Sequence, residues 1–157
     1  MADASGPFVD LSLKVVLKEG TDHMMNLIEN RVATFDRWPL RGRSVCTPQR
    51  MAEAGFYHCP TKTDPDLARC YVCYKELREW KRGDDPFIEH SRSVDCAFVA
   101  FGMKKDKDIT VREFLHIEKE RQKNRMRKLK RLLEAETEQL FRKAKLELNK
   151  LKRKFRR

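Results

Sequence analysis

The chain has 157 residues, of which 38% are charged, and its formal net charge is +11. That length allows one small domain with an extension, and no segment approaches the ~20 apolar residues of a transmembrane helix, so a membrane protein is not expected. Residues 118–157 contain 17 basic and 6 acidic residues, whereas residues 1–117 contain 18 of each. The composition therefore predicts a neutral head joined to a basic tail, and it favours an acidic partner.

Residues 1–21 have no clear apolar period, and we interpret them as a flexible N-terminal arm. The short apolar run from Phe8 to Leu17 is interrupted by Asp10 and Lys14 and follows no basic region, so no signal peptide is expected. Under that expectation the five cysteines indicate metal ligands or free thiols before disulfides.

The head is predicted to combine short helices with short strands. A helix over about 22–35 follows from apolar residues at steps of three and four, and Trp38 before Pro39 ends it. A second helix over 48–54 has a proline in its first turn and Gly55 as its C-terminal cap.

The strands of the head are predicted after that second helix. Short strands are expected at 56–59 and 68–72, with a third strand that ends at Trp80. The Asp-Asp-Pro segment at 84–86 then predicts the start of a helix that includes His90.

The tail is predicted to be one long helix. No proline or glycine occurs after Asp108, and apolar residues recur there at steps of three and four. This pattern predicts an amphipathic helix of coiled-coil type over 110–157, roughly 70 Å long when fully formed. A small head cannot cover such an apolar stripe, so we expect partner helices to bury it. The predicted helix-bundle interface consists of Phe114, Leu115, Met126, Leu129, Leu133 and Leu140.

Four residues of the head have the spacing of a zinc site. Cys70 and Cys73 place two thiols across a tight turn, His90 follows on a predicted helix, and Cys96 comes after five intervening residues. Three thiolates and one imidazole complete the tetrahedral shell of Zn²⁺ and leave no position for a catalytic water. The sequence thus predicts one structural zinc ion, which supplies folding energy to a small core; the alternative is a set of unrelated cysteines.

The remaining candidate ligands fit this site less well. His58 competes as a ligand, but its position in a strand well upstream of the others disfavours it. Cys46 and Cys59 are interpreted as buried or inert thiols. The predicted fold class is α+β, with a small zinc-binding domain over 22–103 that contains a short three-stranded sheet and surrounding short helices. A linker over 104–109 joins it to the long helix.

The head also contains a set of motifs that occur together in one family. They are Arg31, Thr34, Phe35, Trp38, Pro39, Met51, Ala54, Gly55, Phe56, Tyr57, the four predicted zinc ligands, Trp80 and the segment 84–86. This set resembles the baculoviral inhibitor-of-apoptosis (BIR) repeat over about residues 24–100. Residues 109–124 resemble the start of the long helix in the survivin branch of that family, in which a single repeat precedes one such helix.

The resemblance implies a subunit of the chromosomal passenger complex. In that family the long helix bundles with helices of borealin and the inner centromere protein. The repeat binds a phosphorylated histone tail, and the assembly localises Aurora B kinase to centromeres in mitosis and cytokinesis. The implied location is the nucleus, at chromosomes, centromeres and the spindle midzone, with the cytoplasm also allowed. The resemblance further allows a homodimer through the 97–115 region.

A groove that holds a peptide N-terminus needs a carboxylate for the ammonium group, an aromatic wall, and a basic group where a phosphate is recognised. By position in the repeat, Asp84 supplies the carboxylate, Trp80 the wall and Lys75 the phosphate contact. Each of these residues has an alternative role: a helix cap for Asp84, a core aromatic for Trp80 and an ordinary surface lysine for Lys75.

The chain departs from the family pattern beside that groove. Arg78 stands where the family has an acidic residue. The segment between His90 and Cys96 is one residue shorter than usual, with Ser93 in place of an imidazole or indole. Thr47, which precedes a proline, matches the family's regulatory threonine and is a candidate phosphosite; its alternative role is a helix N-cap.

Two other functions remain open at this point. One is an inhibitor of apoptosis whose groove binds alanine-led peptides or proteases. The other is a basic zinc-containing nucleic-acid-binding protein, which the basic clusters at 125–131 and 150–157 favour. The apolar stripe favours helix partners, and both roles are compatible on different faces of one helix. No catalytic constellation is recognisable, so an enzyme is not expected.

Overall fold

The computed structural model describes residues 13–155. Its α-helices and strands are α1 Leu13–Glu19, α2 Ile28–Ala33, α3 Pro48–Glu53, β1 Phe56–His58, β2 Ala68–Cys70, β3 Glu76–Leu77, α4 Pro86–Ser91, α5 Ala97–Ala100 and α6 Val111–Phe155. Short 3-10 turns occupy Thr21–Asn26, Thr34–Arg37 and Asp106–Asp108. The predicted α+β class, with a small sheet, short helices and one long C-terminal helix, is confirmed.

The three strands form one antiparallel sheet in the order β1-β2-β3. Phe56 pairs with Cys70 and His58 with Ala68, so the first two strands run side by side up to the first predicted zinc ligand. Both strands are buried at every position. Strand pairing therefore fixes Cys70 in the centre of the head.

The core of the head packs helices α2–α5 and the start of α6 around this sheet. Its fully buried members include Trp38, Met51, Phe56 and Phe98. Arg31 is also buried; its guanidinium donates to the carbonyls of Met25, Asn26 and Ala52 and stacks on the Tyr71 ring. Because these carbonyls satisfy its donors, a charged group is accommodated inside a small core.

The prediction of one continuous helix over 22–35 is wrong. A 3-10 turn over Thr21–Asn26 ends at Leu27, whose backbone is extended, and α2 begins only at Ile28. The apolar spacing correctly marked the buried face, but it did not show that the chain breaks between the two turns. The N–H of Ile28 donates to Asp106 Oδ2 at 3.0 Å, a contact 78 residues away that fixes the start of α2.

The expectation of a flexible arm over residues 1–21 is wrong for its second half. Leu13–Glu19 forms α1, and Val16 and Leu17 are fully buried against Leu129 and Leu132 of α6. The apolar run that contains Phe8 begins in residues 1–12, which lie outside the described part of the chain.

The long helix α6 begins with a reciprocal cap. Thr110 Oγ1 accepts from the N–H of Glu113 at 3.3 Å, and Glu113 Oε2 accepts from the N–H of Thr110 at 2.9 Å, which is the capping-box arrangement. The helix then runs for 45 residues, or about 68 Å. No described helix is both long and apolar enough to cross a bilayer.

Candidate metal centre and binding surfaces

The first two predicted ligands lie on a tight turn at the end of β2. Tyr74 N–H donates to the Cys70 carbonyl at 3.1 Å, and Cys70 N–H donates to the Lys75 carbonyl at 3.0 Å. Tyr74 has a left-handed backbone conformation, with φ of 57°. The chain therefore reverses directly after Cys70 and brings Cys73 to the same side.

The other two ligands are held by short helices. Asp85 Oδ1 accepts from the N–H of Phe87 at 2.9 Å, which caps α4 and positions His90 at its far end. The loop to the last ligand closes through two bonds, Ser93 N–H to the His90 carbonyl at 2.8 Å and Cys96 N–H to the Ser93 carbonyl at 3.1 Å. The shortened loop thus still delivers Cys96 to the site.

The four side chains converge in one cluster. The ligand atoms of Cys70, Cys73, His90 and Cys96 all lie within 4.8 Å of one another. Cys70 Sγ is 3.9 Å from Cys96 Sγ, and Cys73 Sγ is 3.7 Å from His90 Nε2. Tetrahedral ligands about 2.3 Å from one Zn²⁺ are separated by about 3.7 Å, so the spacing fits a single zinc ion.

Hydrogen bonds around the cluster orient its nitrogen and sulfur atoms for binding a cation. His90 Nδ1 lies 2.6 Å from the Ala54 carbonyl, an arrangement that places the ring proton on Nδ1 and leaves Nε2 free to bind metal. The N–H groups of Val72 and Cys73 donate to Cys70 Sγ. Burial raises the pKa of the Cys70 thiol, so ionised sulfurs here need a bound cation to compensate their charge.

Gly55 makes room for the site. Its φ is +90°, and a Cβ there would lie 2.9 Å from the Phe98 ring and 3.4 Å from His90 Cε1. Its carbonyl accepts from Tyr71 N–H at 3.1 Å, next to the first ligand. The predicted role as a helix cap is confirmed, and the same glycine allows the zinc histidine to approach β1.

The other predicted thiols and the competing histidine lie outside the cluster. Burial raises the pKa of Cys46 to about 11 and that of Cys59 to about 12, so both are protonated and unreactive at neutral pH. The ring nitrogens of His58 face the carbonyls of Thr34 and Pro65 at 3.2 and 2.8 Å. These placements agree with the predictions for all three residues.

The three predicted groove residues differ in their burial and in their hydrogen bonds. Trp80 is only 7% exposed, its ring packs edge-on against Phe56, and its indole N–H donates to the Leu77 carbonyl. Asp84 Oδ2 accepts from Lys81 N–H at 2.8 Å and closes the turn that follows Trp80. Lys75 is half-buried. Across residues 13–155, no hydrogen bond or ion pair joins Lys75, Trp80 and Asp84 to one another.

Comparison with known proteins identifies the family of this chain. Residues 31–100 match the Inhibitor of Apoptosis domain, BIR. The chain is 50% identical over 103 residues to baculoviral IAP repeat-containing protein 5 of Cavia porcellus, a match that spans 65% of this chain and 72% of that protein. The chain belongs to the survivin family. The Mus musculus member is 48% identical, over 62% of this chain and 70% of its own.

A solved structure is similar at lower identity. The crystal structure of DIAP1 BIR1 bound to a Grim peptide aligns with a TM-score of 0.42 and 24% identity, and it covers 52% of this chain and 78% of its own. BIR domains bind one structural zinc ion, and the cluster of Cys70, Cys73, His90 and Cys96 fits one such ion here. The predicted cofactor is confirmed.

One of the two substitutions beside the groove has a local structural explanation. Arg78, directly after β3, forms an ion pair with Asp64 at 3.0 Å. Asp64 lies in the connection between β1 and β2. The Ser93 hydroxyl is buried and has no hydrogen-bond partner in the described structure. A reversed charge at Arg78 is therefore stabilised by a partner, whereas nothing in the structure explains a serine at 93.

Thr47 occupies the N-terminus of α3. Its Oγ1 accepts from Arg50 N–H at 3.2 Å, so the predicted N-cap role is confirmed. Arg50 lies in the same turn and pairs with Asp85 at 2.8 Å. The phosphosite assignment remains a prediction; a phosphate at this position would meet a helix N-terminus and a nearby guanidinium.

Sequence reasoning did not find the contacts that attach α6 to the head. Asp22 is buried and accepts from both Arg121 and the Tyr74 hydroxyl, and Arg125 Nε lies 3.5 Å from its other oxygen. Asn124 Nδ2 donates to the Val72 carbonyl at 3.2 Å, within the zinc turn itself. The first four turns of α6 are therefore part of the zinc-centred head.

The predicted helix-bundle residues divide into two groups. Leu129 packs against α1 of the same chain, and Lys14 of α1 pairs with Glu136 at 2.7 Å, where a charge interrupts the apolar stripe. The exposed members are Phe114, Leu115, Met126, Leu133 and Leu140. The assignment of these residues to partner helices remains a prediction.

Proposed function

We propose that the protein is a non-catalytic subunit of a chromosomal passenger complex. In this proposal the zinc-centred head binds a peptide N-terminus, and α6 assembles with helices like those of borealin and the inner centromere protein. The assembly localises Aurora B kinase to centromeres and the spindle midzone of the nucleus in mitosis and cytokinesis, and a cytoplasmic pool is allowed. Membership of the survivin family supports this role.

One observation supports the helix-binding half of the proposal most directly. Met126, Leu133 and Leu140 are 58%, 48% and 66% exposed, and they lie seven residues apart on one face of α6. Every residue from 137 to 155 is exposed. An apolar stripe with heptad spacing that its own chain leaves uncovered is the arrangement by which helices associate in coiled coils.

The test is binding of zinc-loaded chain to borealin and inner-centromere-protein helices. The double variant Leu133→Glu/Leu140→Glu is expected to lose binding by at least a hundredfold, because two charges enter an apolar seam. The matched control Ala135→Glu/Gln139→Glu adds the same charge beside that seam and is expected to retain most of the affinity. Equal affinities for the two double variants would contradict the proposed interface.

The peptide-binding half of the proposal needs its own test. We propose that Asp84 receives the terminal ammonium, Trp80 supplies the apolar wall and Lys75 contacts a phosphate, so a phosphorylated histone tail is expected to bind more tightly than the same tail without phosphate. Lys75→Ala is expected to remove that gain while leaving the unmodified peptide unchanged. If phosphate gives no gain in the unsubstituted chain, the assignment of Lys75 fails.

The family's Inhibitor of Apoptosis domain supports a second candidate function, inhibition of apoptosis through alanine-led peptides or proteases. In the binding assay above, a chain that holds alanine-led peptides but ignores both helices favours this alternative. The basic tail supports contact with nucleic acid as well; binding that collapses with salt and is unaffected by Leu133→Glu/Leu140→Glu favours that role.

We also propose a homodimer. An apolar groove of about 360 Å³ lies where the head meets α6, and it is lined by Leu27, Tyr71, Ile109, Val111 and Phe114 among others. This groove includes part of the 97–115 region in which the family resemblance places a self-contact. Sedimentation of the zinc-loaded chain tests it: Val111→Glu is expected to shift a dimer to the monomer, and a monomer in the unsubstituted chain would contradict the proposal.

A further inference from the structure

Two loops of the head are joined into one basic platform. The first contains Arg41 and Arg43, and the second contains Lys81 and Arg82. Val45 N–H donates to the Arg82 carbonyl at 2.8 Å, and Arg82 Nη1 donates to the Arg41 carbonyl at 3.2 Å. One backbone hydrogen bond and one from the Arg82 side chain therefore hold the two loops, and with them these four cationic residues, together.

The base of the platform is fixed from inside the head. The single proton of the buried Cys46 thiol is shared between the carbonyls of Lys81 and Asp84, which lie 3.4 and 3.1 Å from its sulfur. The Ser44 hydroxyl also donates to the Arg82 carbonyl, at 3.3 Å. The two loops thus form one fixed surface, because the buried Cys46 at the end of the first loop is hydrogen-bonded to the second.

The charged groups of the platform are exposed to solvent. Arg41, Arg43, Lys81 and Arg82 are all exposed, and none of them forms an ion pair with any residue between 13 and 155. Other basic residues nearby in the sequence do have partners, since Arg50 pairs with Asp85 and Arg78 with Asp64. Four unpaired cations on adjoining loops repel one another and create a local positive field.

The platform adjoins the proposed peptide groove. Lys81 and Arg82 fill the turn between Trp80 and Asp84, and Asp84 closes that turn by accepting from Lys81 N–H. A peptide whose N-terminus reaches Asp84 therefore meets cations beside its first residues. An unmodified tail rich in lysine and arginine has the wrong sign of charge for this surface.

We infer that the platform of Arg41, Arg43, Lys81 and Arg82 binds the anionic segment of a peptide partner, and so selects peptides in which acidic or phosphorylated residues follow the N-terminus. The inference rests on the proposed peptide-binding function and narrows its ligand. Carboxylates and phosphates share the required chemistry, and guanidinium groups bind both in bidentate fashion.

The experiment uses full-length zinc-loaded chain and labelled peptides that share one alanine-led N-terminus. The following residues are glutamates, phosphoserines, serines or lysines in four otherwise matched peptides. Exposed ion pairs each change affinity by roughly 1.4- to 5-fold, so we expect the glutamate and phosphoserine peptides to bind on the order of tenfold more tightly than the serine peptide at low salt. The lysine peptide is expected to bind most weakly.

A matched pair of variants assigns that gain to the platform. Arg43→Gln/Arg82→Gln is expected to remove most of the preference for the glutamate peptide, whereas the phosphoserine peptide keeps the part of its gain that Lys75 provides. Arg112→Gln/Lys119→Gln removes the same net charge from exposed positions of α6 and is expected to keep the glutamate preference. A gain in only one of the two anionic peptides identifies the source of the anion and still supports the inference.

The outcomes that overturn the inference are distinct from failure of the proposed function. If the serine, glutamate and phosphoserine peptides bind equally, the groove functions without the platform, and the inference fails alone. If no peptide binds, both the groove and the platform assignments fail, while the helix-binding test stands separately. If single-stranded DNA binds more tightly than either anionic peptide and the Arg43→Gln/Arg82→Gln variant loses that binding, the platform is a nucleic-acid surface.

Discussion

The zinc-centred head and the distal half of α6 differ in how much of their apolar surface is buried. In the head, side chains such as Trp38, Met51 and Phe98 are at most 1% exposed, and a metal site connects the sheet to two helices. Between 137 and 155 every side chain is exposed, and the ion pairs there, such as that of Lys150 with Glu147, lie within one helix. The apolar side chains of the head are therefore covered by the head itself, whereas those of the distal helix are left exposed to solvent.

The boundary between these two regions does not coincide with the start of α6. Residues 111–136 contact the head and α1 through buried or half-buried side chains such as Ile117, Arg121 and Leu132. Beyond Glu136 those contacts end. The helix is continuous in its backbone, but only its first half shares the stability of the head.

Removal of zinc is expected to have the largest effect and to act on the head alone. Cys96→Ala, or chelation of the metal, is expected to unfold the head at 25 °C, because structural zinc contributes on the order of 10 kcal/mol to such domains and total stability is about 5–15 kcal/mol. Metal content and thermal unfolding check this. Cys46→Ala, which changes a buried thiol outside the cluster, is the control and is expected to retain one zinc per chain.

Arg121→Ala tests whether the first half of α6 belongs to the head. The substitution leaves the Asp22 carboxylate buried without its main cationic partner, and such changes cost about 3–5 kcal/mol. Denaturant unfolding of the zinc-loaded chain measures the loss. Arg127→Ala, one to two turns further on and exposed, is expected to change stability by less than about 0.5 kcal/mol. A loss below that value in both variants would place the boundary before Arg121.

Leu17→Ala tests the contribution of α1. Leu17 is fully buried against α6, and truncation of a buried leucine costs roughly 2–5 kcal/mol; we expect the low end, because α1 covers only one face of an exposed helix. Hydrogen exchange is expected to quicken over 125–136 and to stay unchanged around the zinc ligands. Lys18→Ala, on the exposed side of α1, is the control. Unchanged exchange in the Leu17 variant would show that α1 does not stabilise α6.

The smallest effect is expected in the distal helix of the isolated chain. Leu133→Glu/Leu140→Glu is expected to change the free energy of unfolding by less than about 0.5 kcal/mol, because both side chains already face solvent. The same variant is expected to lose binding to partner helices. A stability loss of several kcal/mol without partners would mean that these leucines already pack against something in the isolated protein.

The sequence predicted the features that depend on local spacing. The zinc ligands followed from the Cys70–Cys73 turn and the positions of His90 and Cys96, and α6 followed from a sustained period without proline or glycine. These patterns are local because the ligands flank turns and the helix repeats. The capping box at Thr110 and Glu113 carries the same kind of signal in its spacing, although it was not predicted.

The contacts between distant segments were not predictable from spacing. Asp22 and Arg121 are 99 residues apart, and neither residue alone differs from an ordinary surface charge in the sequence. The α1 helix had a weak signal, because Leu13, Val16 and Leu17 are spaced as one helical face, but seven residues are too few for a helix to be stable alone. The apolar spacing of α6 does not distinguish a face that packs on α1, such as that of Leu129, from one that packs on partner helices.

Hydrogen exchange of the zinc-loaded chain, measured with and without partner helices, tests the central claim most directly. The account predicts strong protection of the head and of residues 111–132 in the isolated chain, near-free exchange from 137 to 155, and protection of that distal segment once partner helices bind. Distal amides as protected as those of the head in the isolated chain would contradict it.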